Sequence, residues 1–390
     1  MDTQAQLEYR RKLIDDAVRL KKPERVAHLS SFCLWPIIEY GAPLSVACSD
    51  WDLYEKIQRH FLDTYQFDCV GMGTTGGFLC NPPKMLENIG KGYNIFNDEA
   101  GTVSLEDVSP MLSEEYDELI ADRPGFIWNK LLPRKFERWG AGEVTLADFK
   151  TAVDEYLRFM NYMGRIGQVA TEEYGLPSNS GYMVPFPGIE MLYNNLRGIR
   201  GTSIDMRKIP DKVLAAVASI DPDDAAIDGI FDQPPMSETY AFTLWTGLLA
   251  NNFLSLAQWE KYFWPFMQKI LDKVVAADGT IYIFAEGVIS RFYDYFKDYP
   301  AGHIAIHIEQ DDVFDFRENL PNVCVVGGMP THLLGSSTPE KCVSYAKFLC
   351  DELGKDGGFI LSQDKMMSYL VDSKPENIKA VCDFMQEYTF

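Results

Sequence analysis

The chain has 390 residues, 46% of them apolar, enough for one large α/β domain with a sizeable core. A formal charge of −21 argues against nucleic acid and anionic membrane surfaces as partners. The polar start MDTQAQLEYRRKLIDD and the lack of a long apolar run point to neither a signal peptide nor a transmembrane helix, so a cytoplasmic protein is expected.

Leu7, Leu13, Ile14, Ala17, Val18 and Leu20 recur at helical spacing, which predicts an amphipathic helix over 4–21, ended by Pro23. RVAHLSSFCL (25–34) reads as a strand and 50–65 as a helix. FDCVGMG (67–73) is strand-like and runs into a glycine-rich loop at Gly73–Gly77. Gly71-x-Gly73-x-x-Gly76 has the spacing of a dinucleotide fingerprint, but no clean helix follows it, so it is not read as one. Residues 80–112 are irregular and read as an insertion carrying a hairpin, with a surface for a homodimer contact. A helix broken at Pro124 is expected over 114–136, and a long helix over 145–175. Residues 181–198 read as a strand or loop entering a helix, 209–220 as a helix, 225–234 as a strand, and 255–279 as a helix ending at Gly279.

The last third is the most regular. IYIFAEG (281–287), HIAIHIE (303–309), NVCVVGG (322–328) and GGFILS (357–362) are β-rich, and helical stretches follow near 289–298, 312–319, 338–353 and 375–388. These are four βα units on a parallel sheet. With four more upstream they make a (β/α)8 TIM barrel, a single domain over 1–390 with an N-terminal helical extension (1–24) and the inserted segment at 80–112. A doubly wound sheet is the alternative.

The stretch HIAIHIEQDD (303–312) is the most informative. Alternation along a strand puts His303, Ala305, His307, Glu309 and Asp311 on one face and three isoleucines on the other. In a barrel the isoleucines would pack on helices and the polar row would rise toward the C-terminal mouth, where such folds work. Glu286 ends the preceding strand, and Asp364 follows the last one. His307 and Glu309, with Glu286 or Asp364, could ligate a divalent metal such as zinc, could do metal-free acid–base work, or could brace the barrel as a hydrogen-bonded pair. Tyr182, Phe186 and Trp245 are candidates to line an aromatic pocket, and Arg197 and Arg200 to hold a substrate carboxylate. Eight cysteines show no CxxC or zinc-finger spacing and read as reduced, mostly buried thiols.

In the C-terminal region NVCVVGGMPTHLLGSSTPEKC (322–342), DGGFILS (356–362) and SKPENIKAVCDF (373–384) resemble the uroporphyrinogen decarboxylase superfamily. AVRLKKPERV (17–26), EEYDELIADRPGFIWNKLLPRKF (114–136), FLSLAQWEKYFWP (253–265) and FAEGVISR (284–291) resemble its methyltransferase-like members. The resemblance implies the barrel independently. It also argues against the decarboxylase branch: SSFCLWPIIEYG (30–41) lacks that branch's arginines, and GGFILSQDKM (357–366) lacks its late histidine. The corrinoid-dependent methyltransferases use a His-x-Cys pair and a later Cys on zinc. Here His307-x-Glu309 and Ser362–Lys365 stand in those places, without the cysteines. The implied activity is transfer of a methyl group from an O- or N-methylated small molecule, such as a methoxyaromatic in an O-demethylation, to cobalamin carried by a small corrinoid partner protein. His307, Glu309 and Asp364 would be catalytic, His307 and Glu309 would hold zinc if it is kept, and Gly287, Gly327 and Gly328 would leave room for the corrin. The alternatives are a decarboxylase and a non-catalytic corrinoid- or ligand-binding barrel.

Overall fold

The computed structural model describes residues 2–71, 94–105, 110–232 and 239–390. The helices that frame the site are α1 (Thr3–Val18), α2 (Trp51–Thr64), α3 (Leu146–Tyr174), α4 (Gly188–Met191), α5 (Asp224–Phe231), α6 (Trp264–Ala276), α7 (Val313–Asn319), α8 (Thr331–Ser336), α9 (Pro339–Leu353) and α10 (Pro375–Glu387). The strands are β1 (Ala27–His28), β2 (Asn94–Asn97), β3 (Thr102–Leu105), β4 (Ser178–Met183), β5 (Tyr240–Leu248), β6 (Ile281–Ala285), β7 (Ile304–Ile308), β8 (Cys324–Met329) and β9 (Phe359–Gln363).

Seven strands form one sheet in the order β1-β9-β8-β7-β6-β5-β4, and each pair within it is parallel. Two isolated parallel bridges, Leu29 with Cys69 and Val70 with Ser178, place residues 69–70 between the outer strands. That segment closes the sheet as an eighth strand, giving the (β/α)8 barrel expected from the βα count.

Strand alternation sorts the core into two layers. Ala27, Leu29, Cys69, Tyr282, Phe284, Ala305, Cys324, Val326 and Ile360 point into the lumen, where Leu13, Ile14, Ala17 and Val18 of α1 pack with them. Ile281, Ile283, Ile304, Ile306, Ile308, Val325 and Leu361 point outward into the larger cluster shared with the helices. The α1 helix lies under the N-terminal ends of the strands: Arg11 Nε donates to Tyr240 O at the start of β5, and Gly358 N–H donates to Ala17 O just before β9. The lumen is therefore stoppered at that end.

Two local expectations change. Residues 225–234 do not form a strand. Asp223 accepts the Ala226 N–H at 2.8 Å as an N-cap, and the segment winds into α5, burying Ile227. The strand in this region is β5, which the sequence reading did not identify and which carries Trp245, one of the pocket candidates. The stretch after β6 makes a 3-10 turn at Ser290–Tyr295 in place of a full helix. The hairpin expected in the insertion is β2–β3, antiparallel from Asn94↔Leu105 to Asn97↔Thr102. The Gly73–Gly77 loop and most of the rest of the insertion lie outside the described residues. The seven described cysteines are free and buried, as expected; Cys80 is outside the described residues. Among the described residues no helix is long and apolar enough to cross a membrane.

Candidate active site

The C-terminal mouth is built by the ends of β5, β6, β7 and β9. On β6 and β7, Phe284 stands opposite His307. Two residues further on, Glu286 and Glu309 continue the same inward rows at the rim.

Loops after β5 and β6 hold these carboxylates in place. The Gly287 N–H donates to Glu309 Oε2 at 2.6 Å. Gly287 has φ +67°, and a Cβ there would fall 2.0 Å from Asn252 Oδ1, so only glycine fits. Asn251 Nδ2 donates to the carbonyls of Glu286 (2.7 Å) and Val288 (3.1 Å), and Asn252 Nδ2 donates to Glu286 O at 3.0 Å. Both asparagines sit on the 3-10 turn Ala250–Asn252 that follows β5. Glu190 of α4 pins that turn: the N–H groups of Leu249 and Ala250 donate to its Oε1 at 2.8 and 2.7 Å, and Asn194 Nδ2 donates to Oε2. Asp311 in turn accepts the N–H groups of Ile289 and Ser290, so the polar row of β7 anchors the loop after β6 twice.

Burial pushes Glu190 up to about 7. Glu286 is also pushed up to about 7, by burial first and then by the charges of Glu309 and Glu190. No cation is among the charges acting on Glu286. Among the described residues Glu286 thus meets the charges of Glu309 and Glu190 with no counter-charge, and it holds a proton near neutrality.

His307 lies beneath this rim, fully buried. Its Nε2 is 2.6 Å from Gln363 O, which can only accept, so the proton is on Nε2 and Nδ1 accepts the Tyr282 hydroxyl. Burial holds the ring neutral, with its pKa pulled down to about 4. The Phe284 ring meets the imidazole edge-on at 5.0 Å. His307 and Glu309 therefore share a face but not a bond; each is tied to a different partner.

A catalytic zinc needs a free imidazole lone pair and further ligands converging on one point. Both His307 nitrogens are engaged, and Glu309 is bound to Gly287. Among the described residues no three His, Cys, Asp or Glu side chains come together to hold a metal ion. The described residues therefore do not fit a zinc centre.

The other sequence candidates divide. Phe186 lies against the lumen face of Gly247, 3.7 Å from where its Cβ would be, and Trp245 packs half-buried on the lumen cluster. Tyr182 is turned the other way: it pairs in register with Leu244 and packs on the outer layer, because its row faces the helices. Arg197 is held by Asp205 (Nε to Oδ2, 2.7 Å) and Met111 O, an internal ion pair and not a free clamp. Asp364 accepts the Thr331 N–H at 3.1 Å at the start of α8; burial raises its pKa against that bond, and the charges near it are Lys365 and His332. Of the glycines expected to leave room for a ligand, Gly287 is filled by Asn252, and Gly328 faces Leu349 and Val313 in the outer layer. Gly327, with φ +125°, is the one that faces the His307 ring. Sequence reading missed Glu190, Asn251 and Asn252. An Asn-Asn pair directly after a strand was their only signal.

Two comparisons bear on this geometry. The uroporphyrinogen decarboxylase (URO-D) family model matches residues 244–388, the stretch from β5 to the end of α10. A methyltransferase from Methanosarcina mazei has the same fold with a TM-score of 0.60 at 14% identity, covering 97% of each chain. No curated protein matches the chain. The match over residues 244–388 bears out the resemblance read from the C-terminal motifs, and the solved structure bears out the barrel fold.

Proposed function

We propose that the protein is a methyltransferase component that takes a methyl group from an O- or N-methylated small molecule and passes it to a corrinoid held by a separate small protein docked at the barrel mouth. The observation that carries this reading is the placement of Glu286 beside Glu309 in a cup at the mouth, with no cation among the described residues acting on Glu286. A heteroatom losing a methyl group needs positive charge at that atom, brought either by the donor itself or by a proton. Carboxylates facing it stabilise that charge in a partly buried site. Below them, the neutral His307 is a fixed floor held by Tyr282 and Gln363.

The same cup disfavours decarboxylation of a porphyrinogen. A substrate with many carboxylates would meet Glu286 and Glu309, and the segment 30–41, where arginines would help, is SSFCLWPIIEYG. Its Ser31 N–H is spent on Gln363 Oε1. The test is a spectrophotometric assay of corrinoid methylation with purified corrinoid protein and a panel of methyl ethers and methylamines. Transfer from at least one donor is expected; no transfer from any donor, with decarboxylated product from uroporphyrinogen, would overturn the reading.

A further inference from the structure

The cup also indicates which donor fits, a step that rests on the methyl-transfer reading above. We propose that the mouth selects a methylated ammonium, a small organic cation, over neutral ethers and carboxylated donors.

Glu286 and Glu309 each follow directly on the last paired residues of neighbouring strands, Ala285 and Ile308. Among the described residues the charges acting on Glu286 are those of Glu309 and Glu190, while Lys365 and His332 stand by Asp364 on the β9 side. From α4 comes Glu190, from the turn after β5 the amides of Asn251 and Asn252, and from β7 Asp311, which is committed to Ile289 and Ser290. The nearest basic side chain in sequence, Arg291, donates to Asn251 O at 2.6 Å and lies over the Phe292 ring. On the β5 side the lumen offers aromatic surface from Phe186 and Trp245. Carboxylates on one side and ring faces on the other are the two elements that recognise an alkylammonium. A third observation comes from β9. Ser362, on the inward row after Ile360, is fully buried, and its hydroxyl has no hydrogen-bond partner among the described residues. A buried hydroxyl of this kind is expected to meet a ligand atom. A compact metal ion would lack donors, since among the described residues no three His, Cys, Asp or Glu side chains come together. A bulky cation of low charge density does not require them to.

The chemistry balances without a proton. The corrinoid of the partner, in its reduced nucleophilic state, supplies the electron pair for the new bond to the methyl carbon. The C–N bond breaks with its pair staying on nitrogen, so a quaternary donor leaves as a neutral amine. The neutral amine loses its attraction to the two carboxylates, which favours release.

The test is calorimetric titration of the full chain alone with choline and with 3,3-dimethylbutan-1-ol, its uncharged isostere, and with tetramethylammonium and anisole. Choline should bind about tenfold more tightly than the isostere, the difference a cation–π and carboxylate site provides. Glu286→Gln should erase that preference, and Phe186→Ala should reduce it, with circular dichroism unchanged. Equal binding of choline and its isostere by the wild-type chain overturns the proposal, whether or not either variant folds. Methyl transfer from a neutral ether without ammonium binding would overturn this inference and leave the methyl-transfer reading standing. Ammonium binding without transfer from any donor would do the reverse.

Discussion

Replacing Asp68 by asparagine should cost far more than its size suggests, because this carboxylate holds the shortest strand of the barrel in place. Asp68 is fully buried; its oxygens accept both terminal nitrogens of Arg25 (2.7 and 2.5 Å) and the His28 N–H at 2.8 Å, while Arg10 lies 3.9 Å away. Its own N–H donates to His28 O, and the closing segment 69–70 begins at the next residue. Asp68→Asn leaves the 5%-exposed Arg25 without its counter-charge and turns an amide NH2 toward a guanidinium. Removing one partner of such a buried pair costs about 3–5 kcal/mol. Urea unfolding, followed by circular dichroism, measures it. Exchanging both partners, as Arg25→Met with Asp68→Leu, should recover part of the loss, because no unpaired charge then remains. Burial alone would raise the Asp68 pKa, but the bonds and charge of Arg25 overcome that and hold it below the usual carboxylate range. Its contribution is therefore complete above about pH 3.9, the unfolded value, and is lost as pH falls through the folded one. The variant should lack this part of the acid sensitivity. A loss under about 1 kcal/mol for the single variant would refute the reasoning, since it would place the pair among ion pairs that solvent screens.

Two further outcomes follow from the loops at the mouth. Glu190 at about 7 binds a proton in the folded chain that the unfolded chain has already released, so stability should fall as pH rises from about 4.5 to 7. Glu190→Gln should flatten that slope and gain up to about 3 kcal/mol at pH 8, read from unfolding midpoints at pH 5 and 8; an unchanged slope would place the proton elsewhere. Gly287→Ala puts a Cβ 2.0 Å from Asn252 Oδ1 at φ +67°, and should cost at least about 1–3 kcal/mol in thermal or urea unfolding. Adding Asn252→Gly should return the steric share of that loss but not the backbone share.

The inward polar row of β7 was legible because a strand's period of two is unambiguous when isoleucines alternate with His303, His307 and Glu309. The four C-terminal βα units were legible for the same reason, since their strands are short, β-branched and bounded by glycines. What the row does was not legible. Whether His307 offers a lone pair depends on Tyr282 and Gln363, 25 and 56 residues away, and only the register of β6, β7 and β9 brings them to the ring. Glu286 read as a lesser candidate because nothing local reveals that Glu190, almost a hundred residues earlier, stands near it without a cation between. The segment 225–234 misled because its alanines and isoleucines suit either state, and Asp223 as N-cap decided for the helix. Tyr182 misled because the register of β4 on β5 turned it to the outer layer.

The apolar face of α1 beneath the strands has a kinetic corollary. Leu13, Ile14, Ala17 and Val18 pack against the lumen from below, so the opposite rim is the open approach among the described residues. A small donor and a docking protein that both use the lumen must pass the same threshold, and the larger visitor blocks it on arrival. Under the proposed methyl transfer, turnover would obey a compulsory order, donor before partner, with spent amine leaving only after the partner has stepped away. Initial-rate plots varying both reactants should show that sequence, with excess partner protein acting as an inhibitor against a scarce donor.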